Sequence, residues 1–256
     1  MKGKYFSTGW LKPITPVTNQ IGTASEDAAF ADKDIVFDWL AIDVPKGTNR
    51  LVSADMIVQG NHGARQAEVD FQLWFAKAID GVAPASLGTV NSGVTGTGHR
   101  KYMQGIVVLD STNSAGDTVP YNSWYSTGIS RSGGDKLTPG LVIFDCDPIS
   151  GTNVGYDKIY VAGVTMGALN FSTNVLTTGS VSASASAVDI TVDTVDARKV
   201  FEVGDVIQAM DLAEIGTITS LPDATSIIVD AVEDALANND EILTTSPVKI
   251  KLGFEQ

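Results

Sequence analysis

Between Val69 and Phe75 apolar and polar residues alternate without a break. Val69, Phe71, Leu73 and Phe75 fall on one side, and Glu68, Asp70, Gln72 and Trp74 on the other. A period of two matches the pleat of a β-strand, and it marks a strand with one buried and one open face. Trp74 is the exception on the open face. The same period closes the chain, where Val248, Ile250 and Leu252 alternate with Lys249 and Lys251. Further strand-like runs lie at 34–43, 49–60, 102–110, 140–149 and 156–171, separated by turn-forming Gly, Pro, Asn and Ser. With 25 glycines and so many short Val- and Ile-rich runs, the chain is expected to be all-β with very little helix.

The organisation changes along the chain. Residues 1–32 contain Pro13, Pro16 and Gly22 without a sustained period, which predicts an extended N-terminal arm of the kind that reaches a neighbour. Residues 33–178 predict a β-sandwich or jelly-roll-like domain with long polar loops at 81–100 and 111–136. Composition shifts to small residues near Thr178, and 179–247 predict a small acidic β-barrel-like module. A final strand at 248–256 would return to the first domain and make the module an insertion.

The acidic stretch holds a weak repeat. Ile190-x-Val192-Asp193-x-Val195 recurs as Ile227-x-Val229-Asp230-x-Val232, and Asp205-x-Ile207 recurs as Asp240-x-Ile242, at offsets of 37 and 35 residues. Two similar β units are expected, each completing the other's core.

Charge excludes one class of partner. The chain carries a net −13, which opposes approach to a phosphate backbone, so nucleic acid is not expected as a partner. Residues 181–246 hold thirteen acids and two bases, Arg198 and Lys199, for a net of −11, whereas the remainder is nearly neutral. No apolar run is long enough to cross a bilayer, and the first residues lack the apolar segment of a secretory signal.

Chemistry-bearing residues are sparse. The two histidines, His62 and His99, sit in glycine-bearing loops without an HxH or HxxxH partner, and loop polarity accounts for them. Cys146 stands alone in GLVIFDCDPI and reads as a small residue packed in a strand. The glycine-rich text at 93–99 lacks the strand, helix and spacing of a phosphate loop, and a flexible loop is the better reading. Asp145, Asp147 and Asp157 could offer oxygens to Ca²⁺, but no complete calcium loop is present and an acidic solvated face accounts for them. The expectation is no catalytic residue, no metal site and no cofactor. Tyr121, Trp124 and Tyr125 form the densest aromatic group of a predicted loop, open to subunit contact, sugar binding or packing on their own core. With Tyr5, Phe6 and Trp10 of the arm they are the candidate interface residues.

One stretch resembles a known module. Val203-Gly204-Asp205, Gly216-x-Ile218, Asp223-x-Thr225-x-Ile227 and Asn239-Asp240 are similar to a small β module of structural proteins in tailed phages, particularly marine ones. WLAIDVPKGTNRL and YDKIYVAGVTMGALNFSTNV resemble virion proteins of marine myophages. The resemblance implies a non-enzymatic capsid decoration or cement protein, made in the host cytoplasm and placed on the virion surface. Its implied partners are the major capsid protein or other virion subunits, with self-association into a homo-oligomer. The alternative is a tail- or fibre-associated receptor- or glycan-binding protein.

Overall fold

The computed structural model describes residues 4–15, 29–45, 48–66, 69–111, 121–128, 142–143, 158–186, 188–209 and 214–256. Among them helix is limited to 3-10 turns at Arg100–Tyr102 and at Ser111 and to the short α1 (Ala197–Val200). The protein is all-β.

Two antiparallel sheets form a sandwich. The first runs β1 (Tyr5–Ser7), β17 (Val248–Glu255), β3 (Asn49–Gln59) and β6 (Asn122–Gly128), with β7 (Val142–Ile143) also on β3. The second runs β2 (Ile35–Asp43), β8 (Lys158–Thr165), β4 (Phe71–Lys77) and β5 (Met103–Leu109). Their inner faces share one core, in which Met56, Tyr125, Ile250 and Phe254 of the first meet Phe37, Phe71, Phe75 and Val161 of the second. The period of two is plain in β17, where buried and half-buried residues alternate from Val248 to Glu255. Gly163 of β8 has a packing reason: a Cβ there would lie 2.2 Å from the Phe37 ring that covers it.

The open face of the second sheet is not open. The segment 81–100 is a loop, but it lies on the sheet, burying Leu87 against Ile35, Ala162 and Val164, with Trp39, Trp74, Val90 and Val94 around them. The Trp39 indole N–H donates to the Ala85 carbonyl at 2.8 Å, and Leu87 N–H donates to Asp38 Oδ1 at 3.1 Å. This third layer explains why a tryptophan stands at position 74. It also replaces the slack loop expected for 93–99: Thr95 and Gly96 both donate backbone N–H to the Leu87 carbonyl.

A second core is built from 175 to 242. Its strands run β16 (Ile242–Thr244), β12 (Val206–Ala209), β13 (Glu214–Asp223), β14 (Ser226–Val229), β11 (Asp189–Asp193) and β9 (Leu176–Thr177). A bridge from Leu176 to Glu241 brings β9 back to the edge of β16, so the sheet is a nearly closed barrel. β10 (Ala185–Ser186) and β15 (Ala231–Val232) add a small ribbon.

The sequence repeat is a two-fold relation in space. Ile190 pairs with Ile227 across β11 and β14, 37 residues apart, and Gln208 pairs with Leu243 across β12 and β16, 35 residues apart, the two offsets of the repeat. Equivalent residues facing each other in antiparallel strands place a local dyad between them. The turns agree. Glu202 N–H donates to Asp205 Oδ2 at 2.9 Å, and Ala237 N–H to Asp240 Oδ2 at 2.6 Å. Gly204 (φ 87°) and Asn239 (φ 67°) supply the left-handed residue before each aspartate, a conformation that Gly and Asn adopt at least cost. Each turn then pairs with the other unit's first strand, Asp205 with Ile218 and Asp240 with Thr177.

Candidate functional site

The alternation of β17, β3 and β6 turns one set of side chains away from the sandwich core. Lys249 pairs across the sheet with Ile57, and Ile57 with Trp124. Trp10, held beside this face where Leu11 bridges Ile250, meets Trp124 edge to face at 5.4 Å between centroids. Trp10 is 39% exposed, with Lys251 Nζ 6.0 Å from its ring centre, and Tyr5 on the edge strand β1 is 76% exposed. An exposed aromatic group thus stands on the outer face of the first sheet.

Of the six candidate interface residues, Tyr5, Trp10 and Trp124 come to this face. Phe6 turns inward and stacks on Phe254. Tyr125 is a correction: it lies 1% exposed in the core, its ring 6.1 Å from Phe71 and its hydroxyl accepting from Val69 N–H, so it has no surface to offer. Trp124 and Tyr125 belong to strand β6 and not to the predicted loop. Neighbours in a strand point opposite ways, which separates an outer Trp124 from an inner Tyr125. The described part of the arm is likewise not free: β1 pairs with β17 of its own chain, and Thr8, Leu11 and Thr15 continue hydrogen bonding to 245–252.

Tyr121 goes elsewhere, to a cleft of about 370 Å³ between the sandwich and the barrel. One wall carries Ile57, Gln59, Asn122 and Lys249, and the other α1 and the following residues to Asp205. Two polar joints hold the walls. Asp205, 2% exposed, pairs with Lys12 at 2.8 Å and Lys249 at 3.3 Å, and Lys249 reaches Glu202 at 2.6 Å. Burial of a carboxylate demands such partners, because an unpaired charge in the interior costs several kcal/mol. On the other side Glu241 Oε1 accepts from Ser172 Oγ at 2.7 Å, Thr173 N–H at 2.5 Å and Asn174 N–H at 2.7 Å, fixing the strand that enters the barrel.

The two bases of the acidic stretch both line this cleft. Asp196 caps α1 by accepting from Arg198 N–H, and also receives the Arg198 guanidinium at 3.1 and 3.0 Å. That hydrogen bonding holds the Asp196 carboxyl below the usual range. Lys199 Nζ lies 4.7 Å from the centre of the Tyr121 ring. Its charged form is favoured first by a hydrogen bond to the Tyr121 hydroxyl. In the sequence Arg198 and Lys199 are marked only as the two bases of 181–246, with no pattern that assigns them a role. That rarity was the available signal.

The histidines stay apart. His62 occupies a turn with φ 50°. His99 is 4% exposed among Trp39 and Trp74, whose ring centres lie 6.3 and 5.8 Å away, and its Nδ1 has no hydrogen-bond partner. Burial lowers its pKa, with the Arg100 charge adding to the effect and Asp38 opposing it. Among the described residues no group of three or more His, Cys, Asp or Glu is placed to hold a metal ion. Cys146, Asp145, Asp147 and Asp157 lie outside the described residues. No helix among the described residues is long and apolar enough to cross a membrane.

No family model and no curated protein matches the chain. Among solved structures, similarity is found to a chain of the infectious bursal disease virus Gx strain, at 10% identity and TM-score 0.14 over 100% of this chain and 42% of that one. A chain of the VP2 subviral particle of infectious bursal disease virus gives 9% identity and TM-score 0.14 over 99% and 41%. The chain spans about two fifths of the length of each, and scores this low do not mark a shared fold.

Proposed function

We propose that the chain is a non-enzymatic virion structural protein, a decoration or cement component that attaches to the capsid shell through the outer face of its first sheet. The observation that carries this reading is the Trp10–Trp124 pair, Trp10 exposed and Trp124 half-buried, with Tyr5 exposed further along the same face, on the nearly neutral part of the chain. Clustered aromatics on an open sheet face are the residues that anchor protein interfaces. The barrel, at −11 over 181–246, is repelled by copies of itself, and its charge keeps particles apart. The resemblance to structural proteins of marine tailed phages supports the same role. Attachment repeated around a symmetric shell multiplies modest contacts into tight binding, and copies of the chain associate as they bind.

Shells lacking the chain test the proposal when re-decorated with purified protein. Each of Trp10→Ser and Trp124→Ser should weaken binding by about 2 kcal/mol, roughly thirtyfold, with circular dichroism unchanged. Undiminished binding of the double variant would sink this face as the attachment surface. A receptor-binding role at a tail or fibre is the second reading, favoured by the fact that a half-exposed tryptophan can also stack on a sugar ring. In that case the same substitutions abolish glycan-array binding and leave shell binding intact.

A further inference from the structure

We infer that the cleft between sandwich and barrel is a binding site for a small hydroxylated organic anion, a sugar acid or sugar phosphate, held by Arg198 and Lys199. It adjoins the Trp10–Trp124 face, with Ile57 and Lys249 on the border between them, but its own bases and donor are other residues and do not depend on what that face binds.

Charge is the first ground. A segment with thirteen acids places both of its bases, adjacent on α1, into one cleft, and β17 adds Lys249. Lys249 is spoken for by Glu202 and Asp205. Arg198 is oriented by Asp196, which leaves the rest of its guanidinium fork for an oxyanion. Among the described residues Lys199 has no carboxylate within ion-pair distance, and its charge rests on the Tyr121 ring instead.

The second ground is a donor without an acceptor. Gln59 is 6% exposed and lines the cleft, yet its Nε2 has no hydrogen-bond partner. Leaving a buried amide donor unmade is costly, and a ligand oxygen would recover that cost. Gln59 also lines a narrower void that shares Tyr121, Asn122, Lys199 and Val200 with the cleft. Tyr121 and Lys199 therefore border both the open cleft and the void beside it. Tyr121 has φ 70°, a left-handed conformation that a bulky residue adopts only when its surroundings impose it, and such strain gathers at ligand-holding positions.

The remaining lining selects what accompanies the anion. Asn122, Thr244, Ser246 and Glu202 offer amide, hydroxyl and carboxylate groups at the walls, suited to hydroxyls more than to a hydrocarbon. At about 370 Å³ the space is at the small end for ligand sites, the size of one or two sugar rings. In the bound state Lys199 leaves the Tyr121 ring for the anion, and a ligand oxygen takes the Gln59 donor.

Calorimetry of the full chain with galacturonate, glucose 1-phosphate and neutral galactose tests the site. One or both anions should bind one to one, more weakly as salt rises, and galactose should not. The two anions separate a carboxylate from a phosphate as the preferred group. Arg198→Gln and Lys199→Gln, on exposed side chains, should each weaken binding by about tenfold. In the unaltered protein the ligand should also protect Lys199 from an amine-reactive label, measured by mass spectrometry against Lys101. Absence of heat and of protection with both anions at millimolar concentration would overturn the assignment. So would binding that neither substitution weakens, or galactose binding as tightly as the anions.

Discussion

The sandwich and the barrel reach a dry core by different means. The sandwich fills the gap between two sheets with large rings, Phe30, Phe37, Phe71, Phe75, Tyr125, Phe171 and Phe254 among them. The barrel core has Phe201 as its one aromatic among the described residues and is otherwise Ile, Val, Leu and Ala. Two facing sheets stand about 10 Å apart and need long side chains to meet. A small barrel has a narrow interior that branched aliphatics fill, and here the filling repeats about a dyad. One unit is a set of individually shaped contacts; the other is one half-solution used twice.

Core truncation is the strongest way to break that contrast. Phe71→Ala should cost the sandwich about 4 kcal/mol in urea unfolding, because the ring touches both sheets and nothing adjacent can refill the space. Ile190→Ala and Ile227→Ala should each cost the barrel about 3 kcal/mol and resemble one another, since they are dyad partners. A difference above about 2 kcal/mol between those two would show that the halves are not energetically equivalent.

The two aspartate turns sharpen the comparison where the symmetry ends. Asp205 and Asp240 close the same turn, but Asp205 also receives Lys12 and Lys249. Asp205→Asn should therefore cost about 3 kcal/mol, for it strips a buried charge set of its anion. Asp240→Asn, in a more open place, keeps an oxygen to accept the Ala237 N–H and loses only the charge, so it should cost about 1 kcal/mol or less. Equal costs would mean that the joint to the sandwich adds nothing.

The smallest effect is a pH dependence peculiar to the sandwich. His99 has a lowered pKa when folded, so below the ordinary histidine value near 6.5 the unfolded chain takes up a proton that the folded chain resists. Its contribution is fully present above that pH and declines as pH falls from there toward the folded value. Unfolding measured from pH 7.5 to 5 should show this loss, and His99→Gln should flatten it in that window. Persistence of the same slope in the variant would assign it to carboxylates.

What the sequence could carry was decided by range. The strand β4 and the final strand were legible because alternation is a local record of which face is wet, and the two similar halves of the barrel because they reuse the same short text. Trp124 and Tyr125 were misread as loop residues, since YNSWYS is too polar to declare a strand whose inner face rests on Tyr125 alone with a wholly buried neighbour in Ser123. Trp74 looked anomalous because the layer that covers it comes from residues 81–100. The cleft needed both units in place: Tyr121, Arg198 and Lys249 have no pattern in common along the chain and meet only through the joint at Asp205 and Glu241.

The role of the molecule depends on which way it faces on the particle. Imaging of the intact particle with this chain labelled, at a resolution that separates the sandwich from the barrel, reads that directly. It should place the chain on the capsid surface with Trp10 and Trp124 against the shell and the acidic barrel to one side of that contact. A particle in which the barrel makes the shell contact, or in which the label sits on the tail, would contradict it.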